Sequence, residues 1–363
     1  IKLLTNEQES WKLSSGSSSQ LVNNSILIDN TTVNSVYNID YKQIILDNNG
    51  SNQQSYQVNF QNDMKIDILI VGGGGGGHGN TGDISGGGGG GGAILYASDL
   101  QITSGTYTFK VGRGGNNSED GYASEAFGAI ANGGIKGKIV SNLTTWYGGD
   151  GGVVNTNNSL FTFTTYNGGD GGTGSYSTTN TTYSQHGANG NLINIIGDYH
   201  WGGGGGGGGW YDDFGRGGNG GGGAGGFYNN GSRGPATGGT GVNNGGTNYG
   251  GQSNNAVPGS DGGALTGGGG GGAYRQNGGK GGSGTIIIVY KSSDIIYTPD
   301  TSLKLYNSLS TSIFSINQNG NLDITGDIKF TGDLYKNNSL FSSYSHTDFD
   351  TRFDVKIKEG LQI

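Results

Sequence analysis

Unbroken polyglycine constrains this chain more than any other feature. Glycine fills residues 72–77, 86–92, 202–209 and 267–272 without interruption, and a shorter run at 220–223 resumes after Ala224. Glycine surrenders more backbone entropy on ordering than any other residue and has no side chain to bury. Taken alone, such runs read as flexible linkers. Three features argue otherwise. Serine and charge are absent inside the runs, apolar strand-like segments abut them, and the four longest cluster at six to eight residues. The ordered alternative is the left-handed helix of three residues per turn, which has no internal hydrogen bonds and turns every N–H and C=O outward. A run of this length would span about 19–25 Å. Only a residue without Cβ lets several such helices approach closely enough to bond one another. Each ordered glycine costs roughly 0.5–1 kcal/mol relative to alanine, and each inter-helix amide bond contributes about 0.5–1.5 kcal/mol net. The two nearly cancel, so adjoining strands must hold the lattice in register.

Those strands are visible. β-Branched and aromatic runs occur at residues 25–28, 43–46 and 56–60, with turn residues between them such as Asp47-Asn48-Asn49-Gly50. Residues 65–71 read as a central strand leading directly into the first glycine run. Within the glycine-rich region, residues 93–96, 106–111, 160–164 and 192–196 also read as strands. Thr285-Ile286-Ile287-Ile288-Val289-Tyr290 closes the region as the strongest strand signal in the chain. A local echo sets Tyr147-Gly-Gly-Asp150-Gly-Gly against Tyr166-Asn-Gly-Gly-Asp170-Gly-Gly.

Composition narrows function. Among 363 residues there are 82 Gly, no Cys, 27 acidic against 19 basic residues and a net charge of −8. Without a basic run, the chain is not expected to bind nucleic acid or dock on an anionic membrane. No stretch is apolar enough to insert in a bilayer. His78, His186, His200 and His346 are scattered without metal-ligand spacing, so no zinc site or other cofactor is expected. Gly-x-Gly-x-x-Gly matches occur trivially in polyglycine and lack the following helix that nucleotide binding needs. Acids such as Asp150, Asp170 or Asp261 offer a Ca²⁺ alternative to a plain turn-solvating role. No nucleophile–base arrangement is identifiable, and the chain is expected not to be an enzyme. Nine Asn-x-Ser/Thr sequons, Asn30, Asn142 and Asn180 among them, match what so Asn- and Ser/Thr-rich a chain produces by chance. The first residue is Ile1 and the last Ile363, which suggests a piece of a longer protein.

The order of these elements resembles a known family. Ile66-Asp-Ile-Leu-Ile-Val71 before six glycines, residues 86–96, Ser104-Gly105-Thr-Tyr107-Thr-Phe-Lys-Val111, and residues 267–290 look like glycine-rich domains built on a jelly-roll-like β-sandwich. Such domains occur in viral surface proteins and in the anaplastic lymphoma kinase ectodomain. Phage tail-fibre adhesins use similar packed polyglycine helices to present receptor-binding loops. Beyond Tyr290, residues 317–335 alternate apolar and polar side chains and repeat Thr-Gly-Asp-[Ile/Leu] at 325–328 and 331–334, resembling the intertwined β-segments of viral fibre shafts. A single chain could hardly bury that segment, which points to a homo-oligomer; the resemblance to fibre shafts implies a trimer.

The expected fold is therefore all-β. Residues 1–54 form an N-terminal β segment, 55–290 a jelly-roll-like sandwich with an inserted polyglycine bundle, and 291–363 a shaft and oligomerisation segment. Residues 349–357 read equally as strand or helix. The expected function is a structural or receptor-binding fibre or adhesin on a virion surface, outside cells, with a host glycan or protein receptor as partner. A secreted matrix or adhesive protein and a receptor ectodomain are the alternatives. Binding residues are expected where glycine runs end: Trp146, Tyr147, Trp201, Trp210, Tyr211, Asp212 and Asp213. Flat rings beside acids suit a carbohydrate face; the same rings would equally serve as seals on the ends of glycine helices.

Overall fold

In the computed structural model the described residues are 26–29, 42–79, 85–138, 147–175, 184–209, 215–227, 235–248 and 256–290, with short strands between Ile295 and Leu340. The chain divides into two compact units at Ile295/Ile296.

The first unit is a β-sandwich continued by a glycine lattice. Its strands are β1 (Ile26–Asp29), β2 (Lys42–Leu46), β3 (Gln53–Phe60), β4 (Asp63–Val71), β5 (Ile94–Ile102), β6 (Gly105–Gly112), β7 (Ser124–Ala126), β8 (Ala129–Ala131), β9 (Val154–Asn155), β10 (Thr164–Tyr166), β11 (Asn191–Asn194), β12 (Asp198–Trp201) and β13 (Thr285–Tyr290). One sheet runs β1-β3-β6-β7-β8-β9 and the other β10-β5-β4-β13-β2. β1 and β2, which fall in the expected N-terminal segment, are edge strands of these two sheets. Alternate residues Met64, Ile66, Ile68, Ile70 and Ile286, Ile288, Tyr290 meet Tyr56, Val58, Phe60 and Phe109, Val111 in the core between the sheets, the period-2 facing of strands. Residues of the other parity, Leu69, Val71, Ile287 and Val289, are buried beneath the β11–β12 hairpin with Ile193 and Trp201. Burial on both faces explains why β4 and β13 read as continuous apolar runs.

Two local features escape a reading by strand propensity. β7 and β8 are joined by Phe127-Gly128, both at positive φ (52° and 75°), as a two-residue primed turn requires. That turn aims Phe127 into the core, where its ring lies 4.8 Å from Phe109 and 5.0 Å from Tyr107 and Phe161. The strand expected at 160–164 begins only at Thr164. Ser159 diverts the preceding chain by accepting from Phe161 N–H (3.2 Å) and donating to Phe161 O (2.6 Å).

In the second unit Leu303–Tyr306, Ser312–Ile316 and Leu322–Ile324 form an antiparallel sheet, and Tyr335–Lys336 pairs with Ser339–Leu340. Of the alternating residues 317–335 only Leu322–Ile324 and Tyr335 are described, in strands that pair within the chain. The Thr-Gly-Asp repeats and residues 349–357 lie outside the described residues.

Candidate binding surface

Strands pass into glycine helices without a break. The ladder pair Val71↔Ile94 is followed by Gly72 N–H to Ala93 O, Gly75 N–H to Gly90 O and His78 N–H to Gly87 O, every third residue, at 2.8–2.9 Å. The intervening donors serve other segments: Gly73 and Gly76 reach Tyr122 and Glu119, while Gly74 and Gly77 reach Gly282 and Gly279. Carbonyls of the same run accept from segments 134–137, 115–118 and 270–273. Residues 72–78 are therefore surrounded by six neighbours, three receiving and three donating. The runs 86–92, 202–209, 220–226 and 267–272 are each ringed by six in the same way. Beyond their opening residues (Gly202, Gly220, Gly221 and Gly267 take positive φ) their glycines keep negative φ, and the threefold bonding is that of the polyproline II-type helix. The uninterrupted runs are the interior of a hexagonal bundle.

The Gly-Gly-X segments are its perimeter. Along residues 147–153, and again along 167–172, exposure cycles exposed, intermediate, buried with a period of three. Along these segments side chains fall only at the exposed positions, where the helix faces water. Many of these side chains bond the backbone of the next perimeter helix. Asp170 Oδ1 accepts from Gly151 N–H (2.8 Å), Asp261 Oδ1 from Lys280 N–H (2.7 Å), Asn189 Oδ1 from Asn219 N–H (2.8 Å) and His186 Nδ1 from Arg216 N–H (2.9 Å). Asp150 pairs instead with Lys138 Nζ at 2.8 Å. They satisfy donors that have no lattice neighbour on the water side. Asp170 and Asp261 are occupied in this way and Asp150 by Lys138, and no group of three or more His, Asp or Glu that could hold a metal ion occurs among the described residues.

One perimeter corner is held by charge. Arg113 donates to both carboxylate oxygens of Glu119 at 2.8 and 3.1 Å, packs 4.8 Å over the Tyr122 ring, and Tyr122 OH donates to Glu119 at 2.9 Å. Hydrogen bonds from Arg113 and the Asn116 backbone pull the Glu119 carboxyl down to about 2. Because its folded value lies below the ordinary 4.5, the stabilisation is complete above that ordinary value and is lost as pH falls toward 2. Glu119→Gln is expected to cost about 1 kcal/mol at pH 7, the pair being partly exposed. Thermal melts of variant and parent should converge as pH falls toward 2; a constant gap across that range would show that the charge contributes nothing.

The lattice has two dissimilar ends. The chain enters β2 at Lys42 and leaves β13 at Tyr290, and these two residues are partners on one rung. That rung is at the far end of β13 from the glycines. At the opposite end, the tip, lie residues 79 and 85, 138 and 147, 175 and 184, 209 and 215, 227 and 235, and 248 and 256. Bridges Ser85↔Tyr274, Ser175↔Gly209 and Gly209↔Phe227 tie these tip positions together. Buried hydroxyls close the helix ends there: Ser184 Oγ donates to Gly208 O at 2.9 Å and stands 3.1 Å from Ser175 Oγ. His78, also at the tip, has Nδ1 2.8 Å from Ser118 Oγ, while its Nε2 is buried without a partner. Burial, aided by Lys136, lowers its pKa and keeps it neutral.

The expected binding residues separate against this frame. Tyr147 stands at the tip and is 50% exposed. Trp201 is at the other end of its glycine run, at 0% exposure, under the β11–β12 hairpin, with Nε1 3.4 Å from Ile193 O. It offers no face to a ligand and is a seal. Trp146, Trp210, Tyr211, Asp212 and Asp213 lie outside the described residues; their flanking residues Tyr147, Gly209 and Gly215 are at the tip.

Sandwich and lattice together define an all-β, polyglycine-bundle domain. A family model described as a glycine-rich domain matches residues 50–291, well over half of the chain, and the chain belongs to that family. No curated protein matches it.

Proposed function

We propose that this protein is a non-enzymatic adhesin or structural fibre component displayed outside cells, on a virion surface, with the lattice serving to present binding loops at its tip. The observation that carries the proposal is the polarity of the first unit. Entry and exit share the rung Lys42↔Tyr290, and residues such as Tyr147, Ser175, Gly209 and Phe227, where glycine helices end, lie at the other end. A lattice of bare backbone offers neither an apolar cavity nor convergent acids, so recognition falls to the side chains where runs end, as loops on rigid scaffolds usually carry it. The partner is a host-surface glycan or protein. A homotrimer joined through the segment after Tyr290 would multiply weak single contacts, since linked sites gain about 10²–10⁴-fold in avidity.

Trp210→Ala with Tyr211→Ala tests this directly. The double variant should melt as the parent does yet lose attachment to cells or to a glycan array by about tenfold or more, as expected when anchor aromatics are truncated. Unchanged attachment by a folded variant removes these residues from the contact surface.

A further inference from the structure

We propose that the first unit is a load-bearing element, built to resist tension between its tip and the rung where the chain enters and leaves. The inference begins with continuity. β4 becomes glycine helix 72–78, β6 leads into 113–117, β8 into 132–138, helix 86–93 becomes β5, and helix 277–284 becomes β13, all without an intervening turn. Lateral partners persist from Val71↔Ile94 to Gly72 N–H···Ala93 O, while at the start of β13 the bonding changes partner, from Thr285↔Val71 to Gly284 N–H donating to Gly112 O of the other sheet. Strands and helices therefore run along one tip-to-base axis, and their hydrogen bonds lie across it. Tension along the axis loads these bonds in shear, so many must fail together. β13, through which the load leaves, is paired on both sides, registered with β2 along Ile286–Tyr290 and with β4 along Thr285–Val289.

Tension between entry and exit acts quite differently. Tyr290↔Lys42 is the outermost rung of an antiparallel pair. Pulling those two ends apart breaks one rung at a time and peels β2 from the sheet edge. The same fold is thus weak between its own chain ends and strong between tip and base. That is the loading a tip-bound, base-tethered protein would experience. The proposal takes its two loaded points from the tip-presenting reading, but its measurement needs no ligand, so either can fail while the other stands.

The chain has no cysteine, so introduced thiols give unique handles on these 363 residues. One variant carries Tyr41→Cys with Lys291→Cys, the entry and exit positions. A second carries Arg216→Cys with Lys291→Cys, and a third Gln185→Cys with Lys291→Cys; Arg216 and Gln185 are exposed and near the tip. Forced unfolding reports the barrier to bond rupture. Single-molecule pulling should give mean rupture forces in both tip variants at least about twofold above the entry–exit variant, since sheared bonds fail together. Equal or lower forces in the tip variants would overturn the proposal.

Discussion

Gly205→Ala should lower unfolding free energy by about 3–5 kcal/mol, the sum of an overpacked site and of displaced inter-helix bonds. Gly205 lies inside an interior run and has ordinary negative φ, so its backbone would accept alanine without strain. On conformational entropy alone, Gly→Ala at a compatible site stabilises by about 0.4–1 kcal/mol. The packing reverses that sign. A Cβ on Gly205 would sit against the Gly270 carbonyl, 2.5 Å from its carbon, with Gly269 O at 3.0 Å. These neighbours are backbone and have no rotamer to yield. Moving residues 269–270 aside also disturbs Gly205 N–H to Gly89 O, Gly270 N–H to Gly75 O and Gly269 N–H to Gly203 O, each 2.8–2.9 Å. Denaturant titration is the measurement, with Lys280→Ala as control because Lys280 is an exposed perimeter side chain. The control should remain within about 0.5 kcal/mol of the parent, as surface substitutions usually do. If both alanines are equally mild, run 202–209 is not packed among six neighbours.

Much of this was legible in the sequence, and the limits have physical causes. Uninterrupted glycine marked four of the five interior helices because an interior position touches backbone on nearly every side; the fifth, 220–226, holds the buried Ala224. The strands around Ile66 and Ile286 announced themselves through β-branched runs that are buried on both faces. The perimeter was harder. The echo between Tyr147-Gly-Gly-Asp150 and Asn167-Gly-Gly-Asp170 is the trace of a helix with one wet side in three, but acids beside glycine also suit turns and cation sites. That Asp170 and Asp261 accept from the backbone of a neighbouring helix depends on which segments adjoin, and periodicity within one segment does not encode that. The same holds for Phe127, whose place in the core depends on a left-handed turn of two residues. Trp201 was ambiguous for a further reason. It precedes a glycine run just as Trp210 follows it, yet the run begins beside the sandwich and ends at the tip. Direction along the lattice distinguishes the two tryptophans, and it is set by β12 pairing with β11.

Those two tryptophans therefore predict opposite phenotypes. Trp201→Ala should cost about 3–5 kcal/mol, the usual range for truncating a fully buried large aromatic. Its indole fills the layer between the β11–β12 hairpin and the outer face of β4, β5 and β13, against Leu69, Val71, Ile94 and Ile287. Without the ring the hairpin loses its anchor, and the face it covers is exposed to water. The following residue makes the site less forgiving. Gly202 takes φ +67° to turn the chain from β12 into the interior run, and its N–H donates to Thr266 O at 2.8 Å. A loosened hairpin thus disturbs the start of a helix on which six others depend. Trp201→Phe should recover roughly half of the loss, because it restores most of the apolar volume. Urea unfolding of both variants provides the measurement, with attachment assayed well below the unfolding midpoint so that only folded protein is scored. Folded Trp201→Ala should attach as the parent does, in contrast to the tip double variant. A Trp201→Ala protein that keeps its stability but loses attachment would put Trp201 among the contact residues and overturn its role as a seal.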